Sequence, residues 1–233
     1  MAEPSTRTVE RALQLLGSVC DAGSLSLADA ARGTELSAST ALRLLRTLES
    51  TGFVRKDEDG AYRPGLRIVQ LGAQALSHES IISLAEPGLA RLVEATGESA
   101  YLNVKANHGA GADQGLYIAM REGTHSVRHS SWVGRTVPLK GSASGAVLTG
   151  NTPVCGYAVV DRGVEADVTA IAAPITVTMH APDGSISGRR VIAALSVVAP
   201  SYRMTPEKVS AIGCLVTAEA DRILTAYQQE NQP

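Results

Sequence analysis

"LSASTALRLLRTLESTGFVRK", Leu36 to Lys56, decides how the rest of the chain is read. At about 3.6 residues per turn, Ala38, Ala41, Leu42, Leu44, Leu45 and Leu48 fall on one arc of a helix. Ser39, Thr40, Arg43, Arg46, Thr47 and Ser50 fall on the opposite arc, with no carboxylate among them. Glu49 sits inside the apolar arc, near its edge. A polar arc is usually a solvated face, but solvated faces mix Glu with Lys in spaced pairs. Hydroxyls and guanidiniums without acids suit a polyanion. The flanking sequence has to decide between the two.

Upstream, "TVERALQLLGSVCDAG" spaces Val9, Ala12, Leu13, Leu15, Leu16 and Val19 at helical intervals and stops at Gly23. "SLADAARGTEL" predicts a short second helix with Ser26 as N-cap and Asp29 as an imperfect capping-box partner. Ser37 is the expected N-cap of the third helix and Gly52 its end. Downstream, Phe53–Lys56 is strand-like, Asp59-Gly60 is a hairpin turn, Ala61–Arg63 returns and Pro64-Gly65 closes the unit. Three helices and a hairpin make a winged helix-turn-helix. In that unit the second helix of the motif enters the major groove and its N-terminal residues meet base edges. Ser37 opens that helix. Ser39, Thr40 and Arg43 are placed to read bases, Arg46 and Thr47 to meet phosphates, and Arg55, Lys56 and Arg63 offer a basic wing. Three acids, Asp57, Glu58 and Asp59, crowd the wing tip and disfavour a minor-groove insertion there. The competing reading is a winged helix used for protein contact.

The bulk numbers are permissive. The chain has 233 residues, 44% hydrophobic, and a formal net charge of -2. Its mean hydropathy is +0.04 and its pI near 6.2. A wholly basic nucleic-acid binder is excluded, so any such contact comes from a local patch. Nothing is apolar for long enough to span a bilayer, and the N-terminus lacks signal-peptide order, which predicts a cytoplasmic protein with no membrane partner. Cys20, Cys155 and Cys214 have no paired spacing and are expected to be reduced and mostly buried. Aromatics at 3% argue against a single-strand stacking platform.

Beyond Leu66 a helix is predicted to about Ser80, interrupted at Pro87-Gly88, with Leu89–Thr96 opening a second domain. Then "SAYLNVKA", "GLYIAMRE", "HSVRHSSWV", "TAIAAPITVTMHA" and "RRVIAALSVVAP" are rich in β-formers, and "ASGAVLTG" is short and helix-compatible. Thr205–Gln229 reads as a closing helix whose apolar stripe contains Glu219, expected to be exposed or paired. The fold class is α+β.

In "TVERALQLL", "LSASTALRLLRTLESTGFV", "YRPGLRIVQLG", "AEPGLARLVEATGESAYL", "VGRTVPLKGSASGAVL", "GYAVVDRGVEADVTAIAAPI" and "VIAALSVVAP" the chain resembles the IclR family of bacterial transcription regulators. The resemblance covers most of the chain, in family order. It implies a winged helix-turn-helix over residues 1–65, a linker helix over 66–84 and a GAF-like effector-binding and oligomerisation domain over 85–233. It also implies double-stranded DNA with a pseudo-palindromic operator, a homodimer or homotetramer, no cofactor, and a small effector such as an organic acid or aromatic compound. By the family pattern, Ser142 and Ala143 of "GSASG", Asp161 and Ser196 are the candidate effector contacts. Small residues at a helix start would let an anion approach backbone N–H groups.

The chain departs from the pattern at three places. Glu35 stands where the helix-turn-helix turn normally carries Gly; the segment after Gly150 is short; and "HAPDGSISGRR" is long for a tight turn. A regulator with a degenerate pocket is therefore an alternative. An enzyme with a helical dimerisation module is another, but it needs a catalytic constellation. "GSASG" is not a nucleophile elbow, because its centre is Ala143. His125 and His129, four apart in an expected strand, make a poor metal pair. No metal site, P-loop or catalytic residue is predicted.

Overall fold

The structure, a computed structural model, describes residues 6–77, 80–106, 113–181 and 185–230, without the side chains of 76, 77 and 180. It divides into two compact units, Met1–His78 and Glu79–Pro233.

In the first unit, α1 (Arg7–Ala22), α2 (Leu27–Gly33) and α3 (Ala38–Ser50) precede a hairpin of β1 (Val54–Lys56) and β2 (Tyr62–Pro64) and a fourth helix, α4 (Leu66–Ser77). The caps are those the sequence predicts. Gly23 closes α1 in the left-handed region, Ser26 accepts from the Asp29 amide, and Ser37 accepts from the Thr40 amide. Leu15, Val19, Ala30, Ala31, Ala41, Leu44, Leu45, Leu48, Val54 and Tyr62 form one core. Tyr62 also exchanges both backbone hydrogen bonds with Leu25, which ties the hairpin to the α1–α2 connection. Val9 and Leu13, part of the predicted apolar pattern of α1, are exposed instead.

Glu35 occupies the turn with φ +53°, so the chain keeps the left-handed geometry without glycine. The left-handed region costs a non-glycine residue about 1–2 kcal/mol, while glycine gives back about 0.5–1 in unfolded-state entropy. Glu35→Gly should therefore raise stability by roughly 0.5–1 kcal/mol. A higher thermal midpoint of the variant checks this.

The second unit is a six-stranded antiparallel sheet in the order β5-β4-β3-β8-β7-β6. Its strands are β3 (Ser99–Ala106), β4 (Gln114–Arg121), β5 (Thr136–Pro138), β6 (Ala158–Asp161), β7 (Val168–His180) and β8 (Ile186–Pro200). Alternate residues Ala100 and Leu102, Ile171 and Ala173, and Leu195 and Val197 pack against α5 (Ser80–Thr96) and α7 (Pro206–Glu230). The short helix α6 (Ala143–Leu148) packs with Ala172 and Ala194, which alternate with those residues along β7 and β8. Among the described residues no helix is long and apolar enough to cross a membrane.

Three expectations need correction. Helix α5 starts at Ser80 and runs through Pro87. Proline removes the donor to the Ser83 carbonyl, but both residues are exposed, so water can take that carbonyl. Gly88, by contrast, is buried, and a Cβ there would stand 3.2 Å from Ile223 Cδ1 of α7. "HSVRHSSWV" forms no strand; it lies in the connection between β4 and β5. The three cysteines are exposed rather than buried; Cys20 and Cys214 lie off the buried positions of α1 and α7. The "HAPDGSISGRR" segment lies partly outside the described residues.

Glu219 is both buried and paired. Arg91 Nη2 donates to its Oε2 at 2.8 Å, and Arg222 binds its Oε1. Burial pushes its carboxyl up, but the Arg91 hydrogen bonds and the two guanidinium charges outweigh this and hold it below the ordinary carboxylate value. A depressed carboxylate contributes stability above its unfolded value and loses it as pH falls through the folded one. The urea midpoint of the parent should thus exceed that of Glu219→Gln at neutral pH. The gap should close as pH falls below about 4.5.

Candidate functional site

The outward face of α3 carries Ser39, Arg43, Arg46, Thr47 and Ser50 exposed, with Thr40 half-buried, above the buried row Ala41, Leu44, Leu45 and Leu48. Ser39, Leu42, Arg43, Arg46, Thr47 and Ser50 line one shallow open groove. Ser37 is committed to its cap: its hydroxyl donates to Thr40 Oγ1 at 2.8 Å and accepts the Thr40 amide at 3.3 Å. Thr47 donates to the Arg43 carbonyl at 3.1 Å, so its hydroxyl reaches outward only as an acceptor. Among the described residues, Arg43 and Arg46 form no ion pair.

In the hairpin, Arg55 and Arg63 are opposite each other and share a face. Two like charges there would repel, and Asp57 relieves this. Its Oδ2 accepts from Arg63 Nε at 2.8 Å while Oδ1 accepts the Ala61 amide at 2.8 Å. The Arg63 hydrogen bond holds the Asp57 carboxyl below its usual range. Among the described residues the wing therefore presents Arg55 and Lys56 without an ion pair, with Lys56 also 5.7 Å from the centre of the Tyr62 ring, and Arg63 already partnered.

The second unit holds a small, partly open cavity of about 30 Å³, room for one or two water-sized groups. Ser142 and Ala143 line it. Ser142 caps α6, donating to the Pro138 carbonyl at 2.5 Å and accepting the Gly145 amide at 3.1 Å. The structure places Asp161 and Ser196 elsewhere. Asp161 accepts from Thr169 and Ser201, each at 2.6 Å, at the outer strand β6. Ser196 is fully buried on β8, its hydroxyl 3.4 Å from Asn103 Oδ1. The Nδ2 of Asn103, also fully buried, has no hydrogen-bond partner among the described residues.

Other residues make the cavity distinctive. Tyr117, His129 and Trp132 line it together with Glu165. Trp132 packs edge-on to Tyr117 at 5.7 Å and tilted on His129 at 4.9 Å. Tyr101, behind them, meets Tyr117 at 5.1 Å. His129 and Trp132 come from the connection between β4 and β5, which long-range bonds hold in place. Arg203 bridges the buried Glu98 through two hydrogen bonds of 2.8–2.9 Å and donates to the Val127 carbonyl. Ser99 donates to the His129 carbonyl at 3.0 Å. Sequence spacing carries no signal for this cluster, because its members lie on separate elements. The scarcity of aromatics was the one available hint.

Two family models match the chain. The IclR helix-turn-helix domain matches residues 8–58, and the bacterial transcriptional regulator IclR C-terminal domain matches residues 73–154. The second match ends inside the segment that the sequence marks as shortened. The chain is 32% identical over 147 residues to the HTH-type transcriptional regulator XynR of Escherichia coli, spanning 62% of this chain and 56% of XynR. It is 26% identical to the HTH-type transcriptional repressor AllR of Klebsiella pneumoniae, over 97% of this chain and 91% of AllR. A solved IclR homologue of Microbacterium hydrocarbonoxydans, complexed with 4-hydroxybenzoate, has the same fold. Its TM-score is 0.69 and its identity 22%, over 94% of this chain and 99% of that one. The helix-turn-helix and wing of the first unit, the sheet and small cavity of the second, and both family matches agree: the chain belongs to the IclR family of transcriptional regulators.

Proposed function

We propose that the protein binds a pseudo-palindromic operator as a homodimer or dimer of dimers, and that a small molecule in the cavity of the second unit changes its operator affinity. The observation that carries the reading is the acid-free face of α3, exposed and fixed on a packed core. Ser39, Thr40 and Arg43 meet base edges there. Arg46, Thr47, Arg55 and Lys56 meet phosphates, and Ser37 and Arg63 hold the helix start and the wing in shape. Two units, compact in themselves, suit the proposed division of labour, with residues 66–84 as the linker between DNA binding and effector binding. Exposed Val9 and Leu13 on α1, and Leu66 and Val69 on α4, offer apolar surface to a second copy. A cytoplasmic location follows from DNA as the partner.

By linkage, effector and operator must alter each other's affinity by the same factor. The complex of the Microbacterium relative with 4-hydroxybenzoate supports a small-molecule ligand. The small cavity volume favours a second reading, a regulator that responds to no metabolite.

The test is a salt titration of binding to the native upstream intergenic DNA against a scrambled duplex, with and without candidate metabolites. A preference of at least ~10³-fold is expected for the native duplex. Equal, weak binding to both duplexes sinks the reading. Specific binding that no metabolite alters selects the constitutive regulator.

A further inference from the structure

The chain holds one Trp, six Tyr and one Phe. The Trp and two of the tyrosines, Tyr101 and Tyr117, gather with His129 at the cavity of the second unit. Their hydrogen bonds leave a specific need. Tyr101 Oη lies 2.6 Å from both the Ser130 carbonyl and His129 Nδ1. The phenol has one proton, and the carbonyl can only accept, so Tyr101 donates to Ser130. His129 Nδ1 must then carry a proton and donate to Tyr101. Burial pushes the His129 pKa down, against the opposing pull of Glu165, so its imidazole is neutral near pH 7. In that tautomer Nε2 is a bare acceptor. It faces the Glu165 carboxylate, another acceptor, across 3.6 Å.

Two acceptors therefore confront each other at the wall of an aromatic-lined cavity, with no donor between them among the described residues. Glu165 is the one carboxylate among the described lining residues, and no Lys or Arg is among them. An anion gains little here. The helix start beside it is α6, six residues long, and its Ser142 hydroxyl already takes the Gly145 amide. A protonated amine meets every demand at once. Two of its N–H groups serve His129 Nε2 and Glu165, its charge offsets the carboxylate, and its remaining surface rests on ring faces.

We propose that the cavity binds a small organic ammonium ion with at least two N–H donors, held between His129 and Glu165 and enclosed by Tyr117 and Trp132. This rests on the effector reading above and names the ligand class of that site. It replaces the organic anion suggested by the family pattern.

Trp132 is the sole tryptophan, so its emission reports on the cavity directly. The experiment titrates the full chain at pH 7.5 and constant ionic strength with methylammonium and ethylammonium, and with formate and acetate as small carboxylates of comparable size. Calorimetry runs in parallel. A saturable change in Trp132 emission with an ammonium probe, and none with its matched carboxylate, is expected. Glu165→Gln should weaken ammonium binding at least tenfold, while its far-ultraviolet circular dichroism matches the parent. Three results overturn the proposal. Saturation by a carboxylate with the ammonium inert reverses the ligand class but keeps the cavity as the effector site. Unchanged ammonium affinity in Glu165→Gln removes Glu165 from the site. No saturation by any probe rejects the ammonium site, and the metabolite arm of the operator titration then judges the effector reading separately.

Discussion

Arg43→Ala is expected to weaken operator binding by roughly 1–3 kcal/mol and to flatten the preference at one base position in each half-site. The residue is exposed in the groove that Ser39, Leu42, Arg46, Thr47 and Ser50 also line, and no acid is among those lining residues. Its guanidinium can bond the O6 and N7 edge of guanine at two points, a geometry alanine cannot approach. Lys56→Ala supplies the contrast. A lysine on the wing neutralises phosphate without reading sequence, so its loss should weaken native and scrambled duplexes alike and reduce the salt slope by about one. Both variants should keep the parent's thermal midpoint, because neither side chain is part of the core. The measurement is a binding isotherm at several salt concentrations on both duplexes. If Arg43→Ala lowered affinity equally for every sequence, Arg43 would be a phosphate contact and the reading face would have to be reassigned to Ser39 and Thr40.

The first unit was legible because its signals are local. Helical spacing, the Ser26 and Ser37 caps and the hairpin turn lie within a few residues of what they specify. Even the Glu35 departure leaves the turn intact, since the neighbouring packing imposes φ +53° on a residue that disfavours it. Arg63 was harder to place. Its charge reads as a DNA contact until the hairpin brings Asp57 against it.

In the second unit local signals misled where long-range contacts decide. Pro87 predicts a break, yet α5 continues, because its exposed side lets solvent meet the orphaned carbonyl while Gly88 packs on α7. "HSVRHSSWV" has strand-forming residues but forms no strand. Arg203, some 75 residues downstream, instead holds it as a connection through the Val127 carbonyl and Glu98. The effector contacts suggested by the family pattern divide in the same way. Ser142 and Ala143 line the cavity, since the cap and the helix start travel together in sequence. Asp161 and Ser196 depend on strand register, and the register turns one toward Thr169 and Ser201 and buries the other beside Asn103. Glu165, from the connection between β6 and β7 with no motif of its own, lines the cavity.

The last expected result concerns the same helix start. Gly145→Ala should destabilise the second unit at or above the top of the roughly 1–3 kcal/mol range for overpacking. A Cβ at Gly145 would stand 1.9 Å from the Leu139 carbonyl oxygen and 2.4 Å from its carbon. Those are backbone atoms, so no side-chain rotation relieves the clash. Either α6 moves off the β5 connection or Leu139 does. Both outcomes break the Ser142 cap, whose hydroxyl joins the Pro138 carbonyl to the Gly145 amide, and with it the wall of the cavity. Gly17→Ala is the matched control. Nothing lies within 4 Å of a Cβ at Gly17, in the exposed middle of α1, so alanine there should stabilise by about 0.5–1 kcal/mol through helix propensity. Urea unfolding of both variants checks the pair, with Trp132 emission following the second unit and circular dichroism the whole chain. If Gly145→Ala unfolded at the parent's midpoint with unchanged Trp132 emission, α6 would not be seated on Leu139, and the cavity wall described here would be wrong.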